Sequence, residues 1–178
     1  MIEYALTLRS ALHRQHFRLV VSQTQQIIVA VLAHNLGSII LLGSLLFIQI
    51  AYLPAVSDVR YATARMHLRL DGIALCLRWL WLGVLLIYGS GLWAVLALLD
   101  LSQWPVHVVW MTALAVLLVV LLVIAQLGLL RPARLAMQGK RVRDARRLYG
   151  RLRALLLAAL VVAAAAMLLG VSGAVLVS

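Results

Sequence analysis

His34 lies in the run Leu32-Ala33-His34-Asn35-Leu36-Gly37-Ser38, with a glycine three residues on and a serine four residues on. Residues so spaced share one helix face, so the imidazole has small neighbours on its own side. Such a face admits a close neighbouring helix or a flat ligand. His107 and Met111 are four residues apart and share a face in the same way. Imidazole and thioether together suit Cu(I), and His with His or Met can form the axial pair of a haem. Gly89-Ser90-Gly91, next to Tyr88, is a second cluster of small residues, suited to tight helix packing or to the wall of a cavity. Arg78 follows Asp71 by two turns; it either reaches to lipid headgroups or anchors an acidic group such as a haem propionate. The candidate cofactor-binding residues are therefore His34, His107, Met111 and Arg78, and the candidate metal ligands are His34, His107 and Met111. The plainer reading of His34 is a hydrogen bond across a helix contact. His13, His16 and His67 stand among arginines and read as solvated or as neighbours of lipid headgroups.

The elements that must position these residues follow from composition. The chain has 178 residues, 65% of them hydrophobic and only 12% charged, with a mean hydropathy of +1.06. Five acids and sixteen basic residues cannot cover the surface of a soluble domain of this length, so lipid is the solvent. Spanning ~30 Å of hydrocarbon takes about 20 apolar residues in a helix, because lipid offers the backbone no partners. Four stretches qualify, at about 27–53, 75–99, 105–130 and 154–177, the first ending at Pro54 and the third at Arg131-Pro132. The expected fold is an all-α integral membrane protein, a four-transmembrane-helix bundle occupying 26–178. Residues 1–25 carry Glu3, Arg9, His13, Arg14, His16 and Arg18 between Ile2, Ala5, Leu8 and Leu12, and are expected to form an amphipathic helix lying on the membrane surface. No internal repeat is evident. At 1.5 Å per residue, His34 would sit ~10 Å and Met111 ~8 Å below the same membrane face. A titratable side chain at that depth faces protein and has a partner.

Basic residues crowd into 131–153, with Arg131, Arg134, Lys140, Arg141, Arg143, Arg146, Arg147, Arg151 and Arg153. The excess of Lys and Arg belongs on the cytoplasmic side, so this connector is expected there, with both termini outside, in a bacterial inner membrane. The net charge of +11 then serves anionic headgroups, not nucleic acid. One cysteine, Cys76, excludes an internal disulfide or a Cys-based zinc site. No phosphate-binding loop, hydrolase serine motif or paired intramembrane carboxylate is present.

Three passages carry a family resemblance: "LAHNLGSIILLGSLLFIQIAYLPAV", with an early His, a midway Gly and a terminal Pro; "LRWLWLGVLLIYGSGLW", with a late Gly; and the basic connector "LRPARLAMQGKRVRDARRLYGRLRALLL". From about Gln26 onward the chain resembles the membrane superfamily that contains the copper-resistance CopD domain and the HemJ-type protoporphyrinogen oxidases. The resemblance implies that His34 corresponds to the first-helix histidine linked in that group with haem or copper. The connector lacks the Asn-Glu-x-Pro of the HemJ branch, and His107 replaces a lysine common among relatives, which puts porphyrin oxidation in doubt.

The expected function is that of an inner-membrane protein holding a redox cofactor or metal, haem b or copper, between its helices. It would act in electron transfer, copper handling or assembly of a respiratory complex. The alternatives are a cofactor-free accessory subunit of a larger membrane complex, and a membrane porphyrin oxidase. Its partners would be the anionic bilayer and either a second copy of itself or a larger complex.

Overall fold

The computed structural model describes the backbone of residues 2–98 and 106–176 and the side chains of 24–93, 106 and 108–171. The described residues are helical apart from short turns, in the order α1 (Ile2–Leu46), a π-helical turn (Phe47–Tyr52), α2 (Leu53–Ser57), α3 (Ala62–Leu98), α4 (Val106–Val123), a second π-helical turn (Ile124–Leu130), α5 (Arg131–Gln138) and α6 (Val142–Leu176). Four stretches are long and apolar enough to cross a membrane: Thr24–Ser57, Ala62–Trp93, Val108–Gln138 and Val142–Val171. The protein is an all-α bundle of four such helices.

The two halves of the chain repeat one construction that the residue pattern does not announce. Each half runs helix, π turn, short proline-led helix, tight turn, return helix. In both halves the π turn immediately precedes a proline, Pro54 or Pro132, in the first turn of the short helix. Inside an α-helix a proline ring collides with the carbonyl four residues back and removes a hydrogen bond. For Pro54 and Pro132 those carbonyls belong to Ile50 and Gly128, each inside the widened turn. The bond that closes each turn skips one residue, Leu53 N–H to Ile48 O and Arg131 N–H to Gln126 O, which admits the ring without breaking the helix. Both helices therefore continue past the prolines expected to end them, to Ser57 and Gln138.

The basic connectors are likewise helical almost throughout, leaving turns of a few residues. Met66, Leu70, Ile73 and Leu77 recur at helical spacing on α3, as do Ala145, Tyr149, Leu152 and Leu156 on α6, and all eight are buried. Their burial carries each helix through its arginines, so the return spans begin well before the expected residues 75 and 154. The α5–α6 turn closes on Lys140 in the left-handed region (φ 59°), with Arg141 N–H donating to Ala136 O and Lys140 N–H to Met137 O. This is a Schellman cap with lysine where glycine is favoured. Lys140→Gly is expected to stabilise the protein by ~0.5–1 kcal/mol, read from thermal melting in detergent.

Residues 1–25, expected as an amphipathic surface helix, are helical from Ile2 and run on without a break into the first span, in one helix from Ile2 to Leu46. No glycine or proline lies between Met1 and Leu36 to turn the chain.

Within the first hairpin α1 and α3 touch backbone to backbone: a Cβ placed on Gly37 would lie 2.8 Å from the Gly83 carbonyl oxygen, and one on Gly83 would lie 2.9 Å from the Gly37 oxygen. Nearer the basic end the Tyr52 ring covers Gly72 and its hydroxyl donates to Leu68 O at 2.5 Å. The hairpins join in that same half, around Leu45, Ile48, Leu80, Leu122 and Leu156. Among the described residues of α4 before Leu118, and of α6 after Ala163, none is buried. Polar groups tie the hairpins together at membrane depth: Trp81 Nε1 donates to Gln126 Oε1, and Gln49 Nε2 donates to Arg153 O at 3.4 Å. Asp71 pairs with Arg134 at 2.6 Å, so α3 is pinned to α5. A double-mutant cycle of Trp81→Phe and Gln126→Leu should return a coupling of ~0.6–1.7 kcal/mol; additive effects would mean that the pair contributes nothing.

Candidate functional site

The helix end away from the basic turns holds the candidate site, on the α1–α3 hairpin. His34 is half-buried, and its Nδ1 lies 3.3 Å from Ser90 Oγ. Ser90 is buried although polar, because its hydroxyl has partners within its own helix: it reaches Leu86 O at 2.6 Å and Ile87 O at 3.0 Å. A hydroxyl has one proton to donate. With that proton directed to the α3 backbone, the Ser90 oxygen accepts, and Nδ1 of His34 is the donor. A neutral ring then carries its free lone pair on Nε2. Ser38, one turn on, does not compete, since its hydroxyl donates back to the His34 carbonyl at 2.9 Å.

Beyond this pair lies an open groove of about 490 Å³, lined by Ser90 together with Gln25, Gln26, Ala30, Ala33, Gly89 and Trp93; His34 adjoins it through Ser90 and is not itself part of the lining. Small residues make the groove. A Cβ on Gly89 would meet nothing within 4 Å, so this glycine leaves space open, whereas Gly37 and Gly83 close the helices together. The face beside His34 thus takes both of the uses its small residues allow, a tight crossing at Gly37 and a recess one turn outward.

Met111 and Arg78 lie elsewhere. Met111 packs on α6, its Sδ 3.4 Å from the position a Cβ would take on Gly170. It serves the α4–α6 contact, on the other hairpin from His34. The side chain of His107 lies outside the described residues. Arg78 is exposed on α3, twelve residues and roughly 18 Å along the helix from Ser90, too far to serve the groove. Asp71 is engaged by Arg134, not by Arg78. Among the described residues no group of three or more His, Cys, Asp or Glu could hold a metal ion. A copper ion at His34 would need further donors beside it, whereas a haem can take one imidazole from each of its faces.

Residues that the pattern alone did not single out are Gly83, Gln126, Trp93 and the Gln25-Gln26 pair. Gly83 sits in an apolar run with no polar neighbour to mark it, and Gln25-Gln26 reads as the end of a span. Ser90 was visible as a small residue but not as the partner of His34, which is 56 positions away. No family model matches the chain, and neither a curated protein nor a solved structure is significantly similar to it.

Proposed function

We propose that this protein is a multi-pass inner-membrane protein that binds a redox cofactor, haem b in preference to copper, through His34 at the outer end of the α1–α3 hairpin. The observation that carries the reading is the Ser90 hydroxyl oxygen, 3.3 Å from His34 Nδ1 and 2.6 Å from Leu86 O; with its proton given to the α3 backbone, His34 donates through Nδ1 and keeps Nε2 for a ligand. Metal-bound imidazoles are commonly oriented in this way, by a second hydrogen bond from the nitrogen that does not coordinate. The groove walled by Ala30, Ala33 and Gly89 would receive the flat face of the group, and Trp93 would close its outer side. A bound haem would supply one-electron chemistry, in electron transfer or in the assembly of a respiratory complex. The resemblance of the first helix to the CopD and HemJ group assigns the same histidine. Titration of the purified protein with haem b, followed at the Soret band, should saturate at one haem per chain; unsaturable, partition-like uptake would contradict the reading.

A second reading has its own observation. The His34–Ser90 bond lies one turn from the Gly37–Gly83 crossing and would serve as a lock on that hairpin in a cofactor-free accessory subunit. We infer further that the basic turns face the cytoplasm, because the residues from Arg131 to Arg153 include nine basic ones. Reporter fusions should place Gly139 inside and Ser102 and Ser178 outside; the reverse pattern would overturn the orientation and move the groove beside Ser90 to the cytoplasmic side.

A further inference from the structure

At the opposite end from His34, α3 and α6 enclose a second recess of about 380 Å³, lined by Arg65, Arg69, Arg146, Tyr149 and Gly150 together with Ala62 and Met66. Three guanidinium groups share it, and no carboxylate lines it. Of the nearby acids, Asp71 is bound to Arg134, Asp58 contacts the Ser57 hydroxyl, and Asp144, two residues before Arg146, is exposed and does not line the recess. Arg65 donates to Ser57 O at 3.2 Å and to Val59 O at 3.5 Å, which holds it against the α2–α3 turn. Arg69 is held differently, with its guanidinium carbon 5.3 Å from the centroid of the buried Tyr149 ring and its Nε buried without a hydrogen-bond partner. Neither Arg69 nor Arg146 has a hydrogen-bond or carboxylate partner among the described residues. A Cβ on Gly150 would meet nothing, so the recess stays open on the α6 side.

Like charges gathered in a partly desolvated recess repel one another unless an anion joins them. Guanidinium groups present planar pairs of donors that match phosphate oxygens. Tyr149 fixes the Arg69 plane, so less side-chain freedom is lost on binding. The recess also lies where the spans meet the basic turns, the level at which headgroup phosphates are found. We propose that Arg65, Arg69 and Arg146 form a binding site for one phosphate monoester group, supplied by a lipid headgroup or by a soluble phosphate. This site is distinct from the general attraction of the basic turns for anionic lipid, because it is a single recess shared by two helices.

Native mass spectrometry of the full chain in detergent tests it, with phosphatidic acid as the probe in one arm and inorganic phosphate in the other. One saturable adduct per chain is expected. Arg146→Gln, an exposed position whose change leaves the packing untouched, and Arg69→Gln with Arg146→Gln should weaken it by about tenfold or more. Arg143→Gln with Arg147→Gln removes the same charge outside the recess and should change it by less than about twofold. Saturation by phosphatidic acid that inorganic phosphate does not displace supports a lipid headgroup as the source; binding and displacement by inorganic phosphate alone supports a soluble one. Equal weakening by both double variants, or no saturable adduct of either probe, overturns the site.

Discussion

His34→Ala is expected to abolish haem retention while leaving a folded, membrane-inserted bundle. The imidazole contributes one hydrogen bond to the hairpin, to Ser90 at 3.3 Å, and such bonds between membrane helices are worth ~0.6–2 kcal/mol. That is a small part of the stability of a bundle whose core, from Leu45 and Ile48 to Leu122 and Leu156, lies at its other end. For a haem held through His34, by contrast, the change would remove the imidazole that binds the iron. Ser90→Ala separates the two roles. The ring stays but loses the acceptor that orients it, so haem affinity should fall by about 10–100-fold while the melting temperature hardly moves. Visible spectra of the three proteins at equal concentration, each with its melting curve, provide the check. Full cofactor retention in His34→Ala with a lowered melting temperature would instead mark His34 as the lock of an accessory subunit.

Gly37→Leu and Gly83→Leu should each prevent the first hairpin from closing. At both positions the nearest obstacle to a side chain is the backbone oxygen of the other helix, under 3.0 Å from where a Cβ would be. A backbone cannot rotate aside as a side chain can. Even alanine at either position would push α1 from α3 and cost ~1–3 kcal/mol, the usual range for overpacking, and leucine adds three more carbons to the same space. Gly43→Leu is the internal control, because a Cβ there meets nothing within 4 Å and the side chain would extend into lipid. The fraction recovered as a monodisperse species from mild detergent should collapse for Leu at 37 or 83 and be preserved at 43. Equal recovery of all three variants would mean that α1 and α3 do not cross at these glycines.

The spans were legible because lipid imposes a simple demand, about 20 apolar residues in an unbroken helix, and four runs of this chain meet it. The face around His34 was legible for a related reason, since Gly37 and Ser38 fall beside it by helical spacing alone. What stayed hidden depends on partners distant in sequence. Trp81 with Gln126, Gly37 with Gly83 and His34 with Ser90 are 45, 46 and 56 positions apart, and no local pattern pairs them. Pro54 and Pro132 misled for a different reason. Proline ends most helices, but a π turn just upstream absorbs the ring, and nothing in Phe47–Tyr52 or Ile124–Leu130 marks that turn in advance. The doubled hairpin was concealed with it, because the two halves share the turn and the proline rather than a run of identical residues. The arginines of 60–69 and 141–153 suggested loops, yet Met66, Leu70, Ala145 and Tyr149 between them carry the buried stripe that makes those stretches helical.

The central claim is that His34 presents a free Nε2 to a haem in the groove beside Ser90. An absorption spectrum of the protein purified from the membrane, with iron and copper analysis of the same sample, tests it most directly. A reduced-minus-oxidised b-type spectrum and about one iron per chain, with copper absent, is the predicted result. A colourless, iron-free preparation that is nonetheless monodisperse and cooperatively folded would contradict it.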